Sequence, residues 1–159
     1  LTGDCPLLDP ALLGCAWQCY SSQKYAYYAP SADWPDGMDF EIMTRDALLT
    51  AAKEATDKAD REPVTPYIWP NPDRFRWGTV PCPYPLSEEK WSVDTEQDYD
   101  FARAIAREMQ RRYLGHLYGW RDVWALAREM VWRPRGTRNG AYLQQIGSTK
   151  TWEEERYGT

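Results

Sequence analysis

The chain has 159 residues, 43% hydrophobic and 27% charged, which is enough length for one domain to bury a sizeable core. Twenty-four acids against nineteen bases give a net charge of −5, which argues against binding a nucleic-acid backbone. No apolar run approaches a membrane span and no secretory signal is visible, so the expected compartment is the cytoplasm.

The elements follow in chain order. The chain opens at Leu1, and Leu1-Thr2-Gly3 reads as the end of a strand, so a missing N-terminal portion is expected. Asp4-Cys5-Pro6 is a turn. Asp9 and Pro10 form a helix start, with Asp as N-cap and Pro at the first helical position, and the helix is expected to reach about Cys19. Tyr25, Tyr27 and Tyr28 suggest a short strand. Pro35-Asp36-Gly37 is a turn signal, after which Met38, Phe40 and Ile42 alternate with Asp39 and Glu41. That period of two predicts a half-buried strand with both acids on its other face. Thr44 can cap a following helix with Leu48, Ala52 and Ala55 on one side.

Residues 60–66 form a polar, Pro-containing junction. Arg74-Phe75-Arg76-Trp77 reads as a short strand, and the three prolines of residues 80–86 exclude a central strand there. Trp91-Ser92-Val93 is a further short strand ending at Asp94. Thr95-Glu96-Gln97-Asp98 fits a capping box ahead of a helix marked by Phe101, Ile105, Met109 and Tyr113. Residues 121–131 predict a last amphipathic helix with Val123, Leu126, Ala127 and Met130 inward. The domain is expected over residues 1–132, with a polar tail over 133–159. Alternating strands and helices make the fold class α/β.

Cys5, Cys15, Cys19 and Cys82 contain no C-x2-C pair, and the one histidine, His116, lies far along the chain, so a zinc site is not indicated. Cys15 and Cys19 fall in line with Leu8 and Leu12, which predicts buried reduced thiols on a core stripe. The tryptophans, among them Trp17, Trp77, Trp91, Trp124 and Trp132, read as packing residues. No Walker A loop, GxGxxG or G-x-S-x-G sequence is present.

Two acids share one context. Asp4 and Asp94 each follow a strand end and precede a helix, where ligands gather in open α/β sheets. Two carboxylates meeting there suit Mg²⁺, a hard ion that takes oxygen ligands; the alternative is that both are turn or cap residues. Asp36, Asp39 and Glu41 form a second acidic group, either a solvated face or a set of acceptors for sugar hydroxyls. Arg61-Glu62 alone reads as a surface ion pair.

Several segments resemble one family in collinear order over nearly the whole chain. Residues 1–10 (LTGDCPLLDP) match its TGDCPLxDP segment, and residues 34–41 (WPDGMDFE) its PDGxDxE segment. Residues 60–68 (DREPVTPYI) resemble REHVTPYI, residues 71–76 and Trp91-Ser92-Val93-Asp94-Thr95 follow in the family's order, and residues 138–143 resemble its closing RNxGYL. The family is the cytidylyltransferases of the spore coat polysaccharide biosynthesis protein F type, related to the acylneuraminate and 3-deoxy-manno-octulosonate cytidylyltransferases.

The resemblance implies a GT-A-like, Rossmann-type nucleotidyltransferase fold, N-terminally truncated. It implies transfer of CMP from CTP to a sugar acid or related sugar in polysaccharide biosynthesis, with release of pyrophosphate. Asp4 and Asp94 would be the catalytic Mg²⁺ ligands, and Asp36, Asp39, Glu41 and Glu62 would lie along the sugar side. CTP and a sugar are then the partners, with neither nucleic acid nor membrane. Two departures stand out: Pro63 replaces an expected His, and the family's N-terminal section, with its CTP-cradling loop, is absent. The alternatives are a non-catalytic truncated homologue acting as a binding or assembly subunit, its sheet completed by a second copy or a partner chain, and a glycan-binding protein.

Overall fold

A computed structural model of the protein describes residues 1–56, 65–113 and 117–130. Helix α1 spans Pro10–Gln23, one turn longer than the sequence suggests. The Asp9 carboxylate accepts hydrogen bonds from the Ala11 and Leu12 amides, and Lys24 closes the helix in the left-handed region at φ 54°. The inward line runs through Leu12, Leu13, Ala16, Cys19 and Tyr20. This corrects the expected thiol stripe: Cys15, about 100° around the helix from Ala16, is exposed, while Cys19 is half-buried. Trp17, expected to pack, is also exposed.

Strand β1 (Tyr27–Pro30) is buried along its whole length, as a strand covered on both faces must be. It pairs antiparallel with β2 (Ile42–Met43) and parallel with β3 (Trp77–Val80), giving the order β2-β1-β3. Tyr28 faces one hydrophobic cluster and Tyr27 and Ala29 the other.

Met38 and Phe40 are buried as their alternation predicts, but residues 38–41 form no ladder. Gly37, at φ 103°, instead turns the chain against residues 91–92. The expected strand over 74–77 begins only at Trp77, with Phe75 buried in the turn before it. Residues 1–3 and 91–93 are likewise not strands, and loop-to-loop backbone bonds hold residues 91–93.

Helix α2 (Arg45–Glu54) is capped by Thr44, whose hydroxyl accepts from the Ala47 amide. Its buried face is Ala47 and Ala51, continued by Ala55 just past its end, instead of the predicted Leu48–Ala52–Ala55 line. Small alanines let the helix approach the bulky Tyr27, Ile68 and Phe75, and Leu48 and Leu49 are left outward.

Helix α3 (Glu96–Tyr113) carries the predicted capping box. Asp98 donates its amide to the Thr95 hydroxyl, and the Asp98 carboxylate accepts from the Thr95 amide. Helix α4 (Trp120–Glu129) buries Trp120, Val123, Leu126 and Ala127. Both helices, with α1, join the Tyr28 cluster, while α2 covers the Tyr27 face. Phe101, Ile105 and Met109 supply the α3 contribution, burying roughly 1.5–3 kcal/mol of apolar side chain each. No helix among the described residues is long and apolar enough to cross a membrane. His116, Trp132 and the 133–159 tail lie outside the described residues.

Candidate active site

The loop that carries Asp4 lies against the one that carries Asp94. The Val93 amide donates to the Asp4 carbonyl at 2.8 Å, so the two acids project from backbone segments fastened to each other. Asp4 is exposed, and the Asp94 side chain is 56% exposed, so solvent and ligands can reach both carboxylates.

The Asp4 loop is shaped by its short polar neighbours. The Thr2 hydroxyl and the Cys5 thiol lie 3.2 Å apart, and the thiol reaches the Asp4 carboxylate at 3.7 Å. Hydrogen bonding from Thr2, and less from Cys5, holds the Asp4 carboxyl below its ordinary range, so it stays anionic. Burial pushes the Cys5 thiol up, as do the neighbouring charges of Asp39 and Asp4. Asp39 therefore sits beside the same loop.

On the opposite loop, Asp94 Oδ2 receives the Lys90 ammonium at 2.7 Å and the Ser92 hydroxyl at 3.3 Å. The Asp94 amide donates to Asp98 Oδ2. Lys90 also donates to Asp98 at 2.6 Å. Burial opposes the charge on Lys90, but Asp94 and Asp98 outweigh it and raise the ammonium's affinity for its proton.

The second acidic group divides. The Asp36 carbonyl accepts from the Trp91 and Ser92 amides, which ties the turn to the Asp94 loop. Asp39 accepts from the Gly37 amide at 2.9 Å and faces the Asp4 loop. Glu41 instead accepts the buried Tyr27 hydroxyl at 2.5 Å and the buried Thr65 hydroxyl at 2.6 Å. It borders a shallow surface groove with Pro10, Leu13, Trp17 and Ile42. Glu62 lies outside the described residues.

Among the described residues no cluster of three or more His, Cys, Asp or Glu side chains could hold a metal ion. The Asp4–Asp94 pair is a different donor set. Two accessible carboxylates on fastened loops fit a hard cation that completes its shell with water and phosphate oxygens.

The sequence reading missed Lys90. Its signal was the spacing of four to Asp94 and eight to Asp98. It also missed a cavity of about 470 Å³ between α1, the ends of β1 and β3, and the start of α4. Leu12, Tyr28, Trp34, Val80 and Trp120 form its apolar walls, and neither Asp4 nor Asp94 lines it. It is a gap in helix packing, separate from the acidic loops.

The described residues form a three-stranded sheet covered by helices on both faces. A solved structure of a cytidylyltransferase from Leptospira borgpetersenii serovar Hardjo-bovis shares this fold, with a TM-score of 0.70 and 23% identity. The match covers 81% of this chain and 54% of that one. The chain's sequence is similar to the spore coat polysaccharide biosynthesis protein that its motifs resemble. It is 28% identical over 116 residues to the spore coat polysaccharide biosynthesis protein SpsF of Bacillus subtilis, covering 70% of this chain and 48% of that protein. It is 33% identical over 101 residues to an uncharacterized protein of Methanocaldococcus jannaschii, covering 62% of this chain and 41% of that protein. The chain thus spans about half the length of the relatives it matches. No family model matches it.

Proposed function

We propose that this chain carries the metal-binding part of a nucleotidyltransferase that moves CMP from CTP to a sugar acid or related sugar, with release of pyrophosphate. The observation that carries the reading is the Val93–Asp4 backbone bond. It fastens the loop of Asp4 to the loop of Asp94 in a chain whose fold is that of a solved cytidylyltransferase. Asp4 and Asp94 would hold Mg²⁺, which when bound supplies positive charge to the phosphate oxygens of the nucleotide. The chain's own residues favour the anion at Asp4 and hold the Asp94 carboxylate in place. Thr2 favours the Asp4 anion, while Lys90 and Ser92 anchor Asp94. Asp36 and Asp39, on the turn bonded to the Asp94 loop, would accept sugar hydroxyls. Glu41 and Glu62 are proposed for the same side, Glu41 from the rim of the α1–β2 groove.

The test is the melting temperature of the 159-residue chain with CTP, with and without Mg²⁺. Ligand at a hundredfold excess over Kd stabilises the folded state by ~2.7 kcal/mol. A shift that needs both CTP and Mg²⁺, fails with ATP and disappears in Asp94→Ala supports the reading; the chain is then assayed for pyrophosphate release with a panel of sugar acids. An Asp94→Ala chain that responds like the parent overturns the metal assignment.

A second reading is a binding or assembly subunit. It is favoured by β2, which forms one edge of the described sheet beside the exposed Trp17. A strand from another chain or a second copy could pair there. Sedimentation that shows a stable dimer with no response to CTP would select it.

A further inference from the structure

We infer that Lys90 is a positioning residue that leaves Asp94 one carboxylate oxygen for a divalent cation, and so makes the site favour Mg²⁺ over Ca²⁺. The inference rests on the two-carboxylate metal reading above and extends it to the choice of ion.

The Lys90 side chain is only 15% exposed, and it is fixed at both ends. Its backbone forms a parallel bridge with Asp36, flanked by bonds from the Asp36 amide to the Glu89 carbonyl and from the Trp91 amide to the Asp36 carbonyl. Its ammonium lies 2.6 Å from Asp98 Oδ2. That carboxylate is 4% exposed and also accepts the Asp94 and Thr95 amides at the start of α3. Asp98 cannot swing away without uncapping the helix, so the ammonium is held where Asp94 meets it. Both donors to the Asp94 carboxylate, Lys90 Nζ and Ser92 Oγ, then fall on the same oxygen, Oδ2. Among the described residues none donates to Oδ1.

A cation arriving at Asp94 meets Oδ1 as the unclaimed oxygen. Mg²⁺ keeps a rigid octahedral shell and binds through one or two carboxylates with several waters retained. Ca²⁺ takes more ligands and gains from a carboxylate that offers both oxygens. A lysine that occupies Oδ2 withholds that second contact. The ammonium also repels any cation, but it does so for Mg²⁺ and Ca²⁺ alike. The ratio of the two affinities therefore reports the orienting role apart from the charge.

The experiment titrates Mn²⁺ into the full chain, follows bound ion by electron paramagnetic resonance, and displaces it with Mg²⁺ or Ca²⁺. Parent protein is expected to bind Mn²⁺, and Asp94→Asn to lose it. Lys90→Met is expected to raise Ca²⁺ affinity relative to Mg²⁺ by roughly tenfold, the scale on which groups behind a metal ligand act. Lys90→Arg, which keeps a cationic donor, should restore the parent ratio. Because Lys90→Met strips a buried carboxylate of its partner and can unfold the chain, Ser92→Ala is measured beside it. It withdraws the second donor from Oδ2 without changing charge and should move the ratio the same way by a smaller factor. An unchanged ratio in both variants, with Mn²⁺ still bound through Asp94, overturns the inference and leaves the metal reading intact. Parent protein that binds no Mn²⁺, or Asp94→Asn that binds it equally, overturns both.

Discussion

Gly37 is the residue on which the acidic loops depend most. Its φ of 103° lies where side chains are strained, and a Cβ there would sit 2.3 Å from the Ser92 nitrogen and 2.4 Å from the Trp91 carbonyl carbon. Backbone cannot retreat as the tip of a side chain can, so the neighbouring turn would have to detach. The Asp36 carbonyl would then lose its bonds to the Trp91 and Ser92 amides. Gly37→Ala is expected to cost about 3 kcal/mol or more, combining backbone strain with overpacking. Thermal or urea unfolding measures this; a change below 1 kcal/mol would show that the turn relaxes freely. The Pro-Asp-Gly signal revealed a turn but not its tightness, because the partner that crowds it lies more than fifty residues on. The two candidate carboxylates were legible for a similar but opposite reason. Each stands beside its own local cue, a turn at Asp4 and a capping box at Asp94, and only the backbone bond between their loops needed the fold.

Among the elements, helices were read better than strands. Asp9 with Pro10, Thr44, and Thr95 with Asp98 are caps whose partners lie within three residues, so the sequence shows both halves of each. Strands β2 and β3 depend on pairing with β1, and the sequence hides which alternating segment finds a partner. Residues 91–93 look like a strand but meet carbonyls on two different loops instead. On α2 the expected face was displaced by one residue because burial followed the fit of alanines to aromatic rings, not hydrophobicity alone. That helix ends at Glu54, whose carboxylate receives Arg74 at 2.6 Å and the Tyr67 hydroxyl at 2.6 Å. Those bonds, Arg74 first, pull its pKa from 4.5 down to about 2. The folded state therefore holds fewer protons than the unfolded one between these values. The tie is fully present above pH 4.5 and is lost as pH falls to about 2. Glu54→Gln is expected to melt slightly below the parent at pH 7 and to converge with it near pH 2. Both partners are well exposed, so the gap should also narrow at high salt. A gap that persists unchanged to pH 2 would assign the effect to packing and not to charge.

At the scale of the whole molecule, one carboxylate joins the two ends of the described chain. Asp9 Oδ1 caps α1, while Oδ2 accepts the Trp120 amide at 3.0 Å, across 111 positions of sequence. Gly119, at the N-cap of α4, has no side chain to supply that acceptor. A Cβ there would approach Asp9 Oδ2 at 2.9 Å, so the glycine makes room for the borrowed cap. This arrangement has a consequence for how the protein opens. Two helices that start on a single acceptor cannot fray independently, because release of either exposes a largely buried charge. The amides of Leu12 and Trp120 should therefore exchange with deuterium as members of one cooperative unit, with matching protection. In Asp9→Ala both should lose protection together, although the substituted residue is remote in sequence from α4. Separate rates for the two amides in the parent would mean that each helix opens by itself. Matched rates would mean that the first and last described helices breathe as a single body on one face of the sheet.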